Sequence, residues 1–250
     1  MTFARRAVSA LGCALLACGS SPAAAPPAQH GDDAGTHESG APFVPAAHRP
    51  LPQLLHAGGS VLTNATVVPV TFDGDPLRAD LERFVAAFGA SSWWKQTTAE
   101  YGVGALAAGT PVHVAETPPS GTIDDAAVEQ WVAAHLDGTH ADWGSPSSDK
   151  LYAVFYPQGT SITLDGLASC TDYLGGYHYT MNVGGVRVAY AAIVRCDQGF
   201  GDARGALDAT TVGLAHELVE SSTDPFLDGW SRPDDESLFP FAFSGEAADL

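Results

Sequence analysis

The chain has 250 residues, 45% of them hydrophobic, and sets 11 Lys plus Arg against 29 Asp plus Glu for a formal charge of −18. That length suits one domain with extensions, and a field of that sign repels phosphate backbones, which excludes nucleic acid as a partner. No apolar run reaches the ~20 residues a bilayer-spanning helix needs, so no membrane span is expected.

The first eighteen residues have the layout of a secretory signal: Arg5 and Arg6 form a basic start, and Ala7 to Ala17 are mostly apolar. The run ends in Leu15-Leu16-Ala17-Cys18, which resembles a bacterial lipobox and implies a lipidated Cys18 as the mature N-terminus. Cys13 follows too short an apolar run for the same role. Gly19 after Cys18 resembles lipoproteins sent on to the outer membrane, so the expectation is an exported outer-membrane or cell-surface protein held to the membrane by acyl chains. Cleavage near Ala23 to Ala25, giving a secreted form, is the alternative. Residues 19–58 are rich in Pro, Ala and Gly and read as a disordered tether, leaving 59–250 as a single globular domain. His30, His37, His48 and His56 share no helical or strand face.

Val67 to Phe72 reads as a strand, with Pro69 predicting an edge position or a bulge. Leu77, Leu81, Phe84, Val85 and Phe88 recur at helical spacing. A second helix is predicted from Ser92 to Tyr101, a short strand over Pro111 to Val114, and a third helix from Ile123 to Leu136. Leu151 to Tyr156 is a predicted strand, and Tyr177 to Val183 with Val186 to Val194 form a predicted hairpin around Gly184-Gly185. A last helix runs from about Asp208 to Ser222. Alternating strands and helices followed by a hairpin predict an α+β fold, a mixed sheet with helices packed on it. Cys170 and Cys196 flank the hairpin and, in an exported protein, are expected to form a disulfide. His135 and His140, five residues apart, fit no single helical face and read as surface residues.

The chemistry concentrates in Leu214-Ala215-His216-Glu217-Leu218-Val219-Glu220. His216 and Glu220 stand four apart, so a helix turns both toward one ion. In the zincin motif His-Glu-x-x-His the glutamate takes a proton from the attacking water, which makes Glu217 the candidate catalytic base. Here Glu220 replaces the second histidine. A His with carboxylates lowers the Lewis acidity of zinc and makes Mn, Fe or Ca competitors. Glu246, in Gly245-Glu246-Ala247-Ala248-Asp249, is the expected third ligand, an arrangement that resembles the gluzincin pattern and implies a zincin-like fold with the active-site helix near the C-terminus. Asp249 is expected to orient His216 from behind or to serve as the ligand itself. Tyr177 or His178 is the candidate donor to a developing oxyanion. The plainer alternative makes His216 a hydrogen-bonded core residue and the glutamates a solvated face. Against it, the surrounding helix is apolar, and no Lys or Arg lies between Arg204 and Arg232 to compensate its carboxylates.

Val67 to Phe72, Ser92-Trp93-Trp94-Lys95-Gln96-Thr97-Thr98, Cys170 with Gly176-Tyr177-His178, and Thr223-Asp224-Pro225-Phe226-Leu227-Asp228-Gly229-Trp230 occur in an order that resembles the phosphate-induced, or EXORDIUM-like, family. That resemblance covers about Val61 to Trp230. It implies a secreted or wall-associated protein more than it implies a reaction. Two functions follow as expectations. One is a zinc-dependent hydrolase, with peptides as the favoured substrates. The other is a non-catalytic surface protein in which the metal is structural and Trp93, Trp94 and Trp230 stack on a cell-wall polymer. No Gly-x-Ser-x-Gly elbow is present to support a serine hydrolase.

Overall fold

The strand from Asn64 to Phe72, buried on both faces from Val67 onward, opens the central sheet, and the computed structural model describes residues 53–172, 174–196, 205–232 and 245–248. The predicted signal sequence with Cys18, most of the predicted tether and Asp249 lie outside the described residues. The elements are β1 (Leu55–His56), β2 (Asn64–Phe72), α1 (Arg78–Phe88), α2 (Ser92–Thr98), β3 (Ala105–Ala108), β4 (Val112–Val114), β5 (Gly121–Asp124), α3 (Asp125–His135), β6 (Lys150–Tyr156), β7 (Thr160–Leu164), β8 (Leu167–Ala168), β9 (Gly176–Val183), β10 (Val186–Val194), α4 (Ala206–Thr223) and β11 (Trp230–Ser231). This is an α+β fold.

The main sheet runs β3-β2-β6-β10-β9, with β4 also paired to β2. Its strands are parallel except β9, which joins β10 as an antiparallel hairpin. Gly184 and Gly185 take φ of 59° and 89°, as a two-residue turn matched to strand twist requires. Alternation sends Val67, Ala153, Phe155, Ala191 and Ile193 to one face, covered by α1, α2 and α4. Val68, Val70, Tyr152, Val154, Tyr156 and Tyr190 go to the other, covered by α3 and the small β5-β7-β8 sheet.

Pro69 does not mark an edge. β2 is central, paired to β6 on one side and to β3 and β4 on the other. The Val67 carbonyl accepts from Gly109 N, so odd-numbered backbone groups of β2 face β3 and β4. Pairing there stops at Val67↔Ala108 and resumes at Val70↔Val112, so the missing Pro69 donor falls at the interruption. Pairing also begins earlier than composition predicts: Leu55 and His56 oppose Ser231 and Trp230, and His56 packs on the Trp230 ring. His135 is buried, its ring against Trp131, Trp143 and His140 and its Nε2 3.2 Å from a Glu116 oxygen, so the expectation of a surface residue is corrected. No helix among the described residues is long and apolar enough to cross a membrane.

The Cys170–Cys196 disulfide ties the approach to β9 to the end of β10 across 26 residues. A loop of that size restricts the unfolded chain enough to contribute about 3 kcal/mol. Replacing both cysteines with serine should therefore lower the stability of the oxidised protein by about that amount in denaturant unfolding. An unchanged midpoint would show that the bridge adds nothing.

Candidate metal centre

α4 is an 18-residue helix whose last two turns are buried under the sheet. Residues 216, 217 and 220 fall on one arc of it, because 3.6 residues per turn place position 220 between the other two in projection. Glu217 and Glu220 point inward, at 4% and 3% exposure, while the His216 side chain keeps 37%. Gly176 on β9 makes this possible: a Cβ there would meet Ile193 Cδ1 at 2.9 Å and Glu217 Cγ at 3.3 Å. The last turn is finished by its own side chains, with Ser221 Oγ donating to the Glu217 carbonyl and Thr223 Oγ1 donating to those of Val219 and Glu220.

β9 delivers the residue that faces these carboxylates. His178 lies on the α4 side of the sheet, 5% exposed, with Nδ1 3.6 Å from Glu217 Oε2 and 3.9 Å from Glu220 Oε2. Its Nε2 donates to the Asp224 carbonyl at 3.2 Å, so in the neutral ring Nδ1 carries the lone pair toward the carboxylates. Asp224 is itself fixed, its Oδ1 accepting from Gly229 N at 2.6 Å.

His216 Nε2 lies 3.2 Å from Glu220 Oε1, and Glu246 Oε1 lies 3.6 Å from His178 Nε2. The segment bearing Glu246 is held where Arg232 N donates to the Gly245 carbonyl, and Ala247 and Ala248 pack on the core. The structure thus brings His216, Glu217, Glu220 and Glu246 together and adds His178 as their hub. Tyr177 does not join them. Its neighbour position on β9 sends its side chain to the opposite face, among Tyr190 and the α3 core, which rules it out as an oxyanion donor here.

From the sequence, His178 is expected only as a donor to the oxyanion. The signal for more was the Tyr-His-Tyr alternation, which turns His178 to the face of β9 opposite Tyr177 and Tyr179.

The electrostatics are those of a group short of positive charge. Burial raises the Glu220 carboxyl to about 7, with His216 opposing that shift and Glu217 and Glu246 adding to it. Burial opposes a charged His178, but the polar contact with Glu217, longer than a full hydrogen bond, and the charges of Glu246, Glu217 and Glu220 push it up to about 9. Among the described residues the ion-pair partners of Glu217 and Glu220 are both histidines. Glu217 Oε2 and Glu220 Oε1 are buried without a hydrogen-bond partner among the described residues.

Buried carboxylate oxygens without a hydrogen-bond donor are costly, and a divalent cation satisfies them. Donor atoms of His178, Glu217 and Glu220 all lie within 4.8 Å of one another. Two donors on one tetrahedral zinc stand about 3.3 Å apart, given bonds of about 2.0 Å, so the observed 3.6 and 3.9 Å are a few tenths wide of a closed shell. These residues fit a metal ion.

Protonation offers the cation-free chain its other relief. A carboxyl raised in the folded state stabilises below its unfolded value and loses that contribution as pH rises through about 7; His178 loses its own contribution as pH rises through about 9. In chelator the protein should therefore become less stable from pH 5 to pH 9, by on the order of a few kcal/mol, and zinc should flatten the trend. Thermal melts at pH 5, 7 and 9 measure this, and chelated protein equally stable at pH 9 would contradict it.

No protein-family model matches this sequence, and no curated protein matches it. Among solved structures, metalloproteinase-II from Bacteroides fragilis is similar over 68% of this chain and 45% of its own, at 12% identity and a TM-score of 0.38. The chain spans less than half the length of that protein, and a likeness at this level supports no assignment of activity.

Proposed function

We propose that this protein is an exported surface lipoprotein, related to the EXORDIUM-like group, that acts as a metal-dependent hydrolase on peptide-like substrates. The observation that carries the reading is the pair of carboxylate oxygens on Glu217 and Glu220 that make no hydrogen bond among the described residues, buried beside His178. A catalytic site must also be reached from outside. The partly exposed side chains of His216, at 37%, and Glu246, at 22%, give the group an open flank, whereas a closed structural site has none.

A bound divalent cation, zinc or one of the harder ions Mn, Fe or Ca, would supply Lewis acidity for polarising a scissile carbonyl. The chain's residues do the rest. Glu217 accepts a proton from the attacking water on the oxygen it does not turn to the cation, while His178 Nδ1, 3.6 Å from Glu217 Oε2, would help to hold that cation. The Asp224 carbonyl holds the His178 ring in register, and Glu220 bridges the buried and solvent-facing sides of the group. Cys18 carries the acyl anchor that keeps this activity at the membrane surface.

A second reading draws on burial. With Glu217 and Glu220 almost wholly enclosed, a cation here could instead staple β9, α4 and the tail, leaving a surface protein that binds wall polymer. Trp93, half exposed, would be its stacking platform; Trp94 is buried and donates Nε1 to the Gly104 carbonyl, which removes it from that role.

Glu217→Gln separates the two readings. As a hydrolase, the wild type should show zinc-dependent cleavage of a peptide library by mass spectrometry, and the variant should lose it by about a hundredfold or more. As a staple, the wild type should bind zinc and cleave nothing, and the variant should lose thermal stability with no activity to lose. Wild-type protein that cleaves no peptide with zinc bound would end the hydrolase reading. For the anchor, Cys18→Ser should abolish incorporation of radiolabelled palmitate and release the protein from the membrane fraction; continued labelling would refute it.

A further inference from the structure

The two carboxylate oxygens of Glu220 face different histidines. Oε2 looks inward to His178 Nδ1 at 3.9 Å, and Oε1 looks outward to His216 Nε2 at 3.2 Å. Two donor sets therefore share this one side chain. The inner set is His178, Glu217 and Glu220 Oε2, enclosed between β9 and α4. The outer set is His216 and Glu220 Oε1 on the flank that reaches solvent, while Glu246 lies against Nε2 on the far side of the His178 ring.

Each set contains a buried oxygen without a hydrogen-bond partner among the described residues: Glu217 Oε2 in the inner one, Glu220 Oε1 in the outer one. An ion in the inner set would engage Glu217 Oε2 and Glu220 Oε2 and leave Oε1 as it was. Oε1 sits 3.2 Å from His216 Nε2 and still makes no hydrogen bond with it. Close approach without donor-acceptor alignment is the relation of two ligand atoms turned toward a common ion. A carboxylate offering one oxygen to each of two ions is the usual bridge of two-cation centres, whose ions lie about 3.5–4 Å apart.

We infer that the group holds two divalent cations bridged by Glu220, an inner one on His178 and Glu217 and an outer one on His216. The inference rests on the reading of the group as a metal centre and deepens it: the inner ion joins strand to helix, and the outer ion meets substrate. Two-cation centres serve hydrolysis of peptides as well as of phosphate esters.

Mn²⁺ tests this on the full chain after chelator treatment, with bound equivalents counted by elemental analysis and the ions examined by electron paramagnetic resonance. The expected result is two equivalents with the multiline signal of exchange-coupled ions, falling in His216→Ala to one equivalent with an uncoupled six-line signal. One equivalent in the wild type overturns the second ion and leaves the proposed function standing. Two equivalents without coupling overturn the Glu220 bridge. No bound Mn²⁺, and none when Zn²⁺ replaces it, overturns both this inference and the metal-dependent reading.

Discussion

Two glutamates from the last turns of a helix are pressed into the interface between that helix and a sheet, where the groups that answer them are imidazoles. Everything else at the site is arranged around that constraint. Carboxylates at 3% and 4% exposure lose most of their hydration, and the compensation available to them is protonation, a histidine charge or an added cation. Glu220 and His178 are both shifted toward their protonated forms, which is how a group deficient in positive charge responds when protons are the cations at hand.

The fold places this deficiency where a chemical use for it exists. The hairpin of β9 and β10 carries His178 on the face packed by α4, and the Cys170–Cys196 bridge closes the two ends of that hairpin. The turn after α4 returns through Asp224 to hold the imidazole by its backbone carbonyl, and continues to β11, which pairs with β1. Arg187 reinforces the turn from β10, bonded to Asp228 at 2.6 Å with its guanidinium over the Phe226 ring. The tail then docks beside Arg232 and adds Glu246. Three separate stretches of chain, β9, α4 with its C-cap Asp224, and the segment bearing Glu246, meet at one imidazole, so the site is a property of the tertiary fold and of no single motif.

That division explains how much could be read in advance. Helical spacing in Leu81, Val85 and Phe88, the Asp124 cap of α3 and the Gly184-Gly185 turn are local signals, and the corresponding elements form as local physics requires. The i, i+4 pair His216 and Glu220 is equally local. His178 is 39 residues from Glu217 in sequence, and its part depends on which face of β9 meets α4, which strand alternation leaves open until the helix is placed. The same ambiguity made Tyr177 look like a neighbour of His178 when the pleat sends them apart. Pro69 misled for a related reason: its missing donor argues for an edge only if the neighbouring strand is continuous, and here the neighbour is interrupted between β3 and β4.

The central claim is that a divalent cation belongs between β9 and α4. Crystals grown with zinc and measured on either side of the zinc absorption edge address it directly. The account predicts anomalous density within bonding distance of His178 Nδ1 and of carboxylate oxygens from Glu217 and Glu220. Anomalous peaks confined to surface histidines, with His178 still facing those carboxylates across an interval that holds no ion, would contradict it.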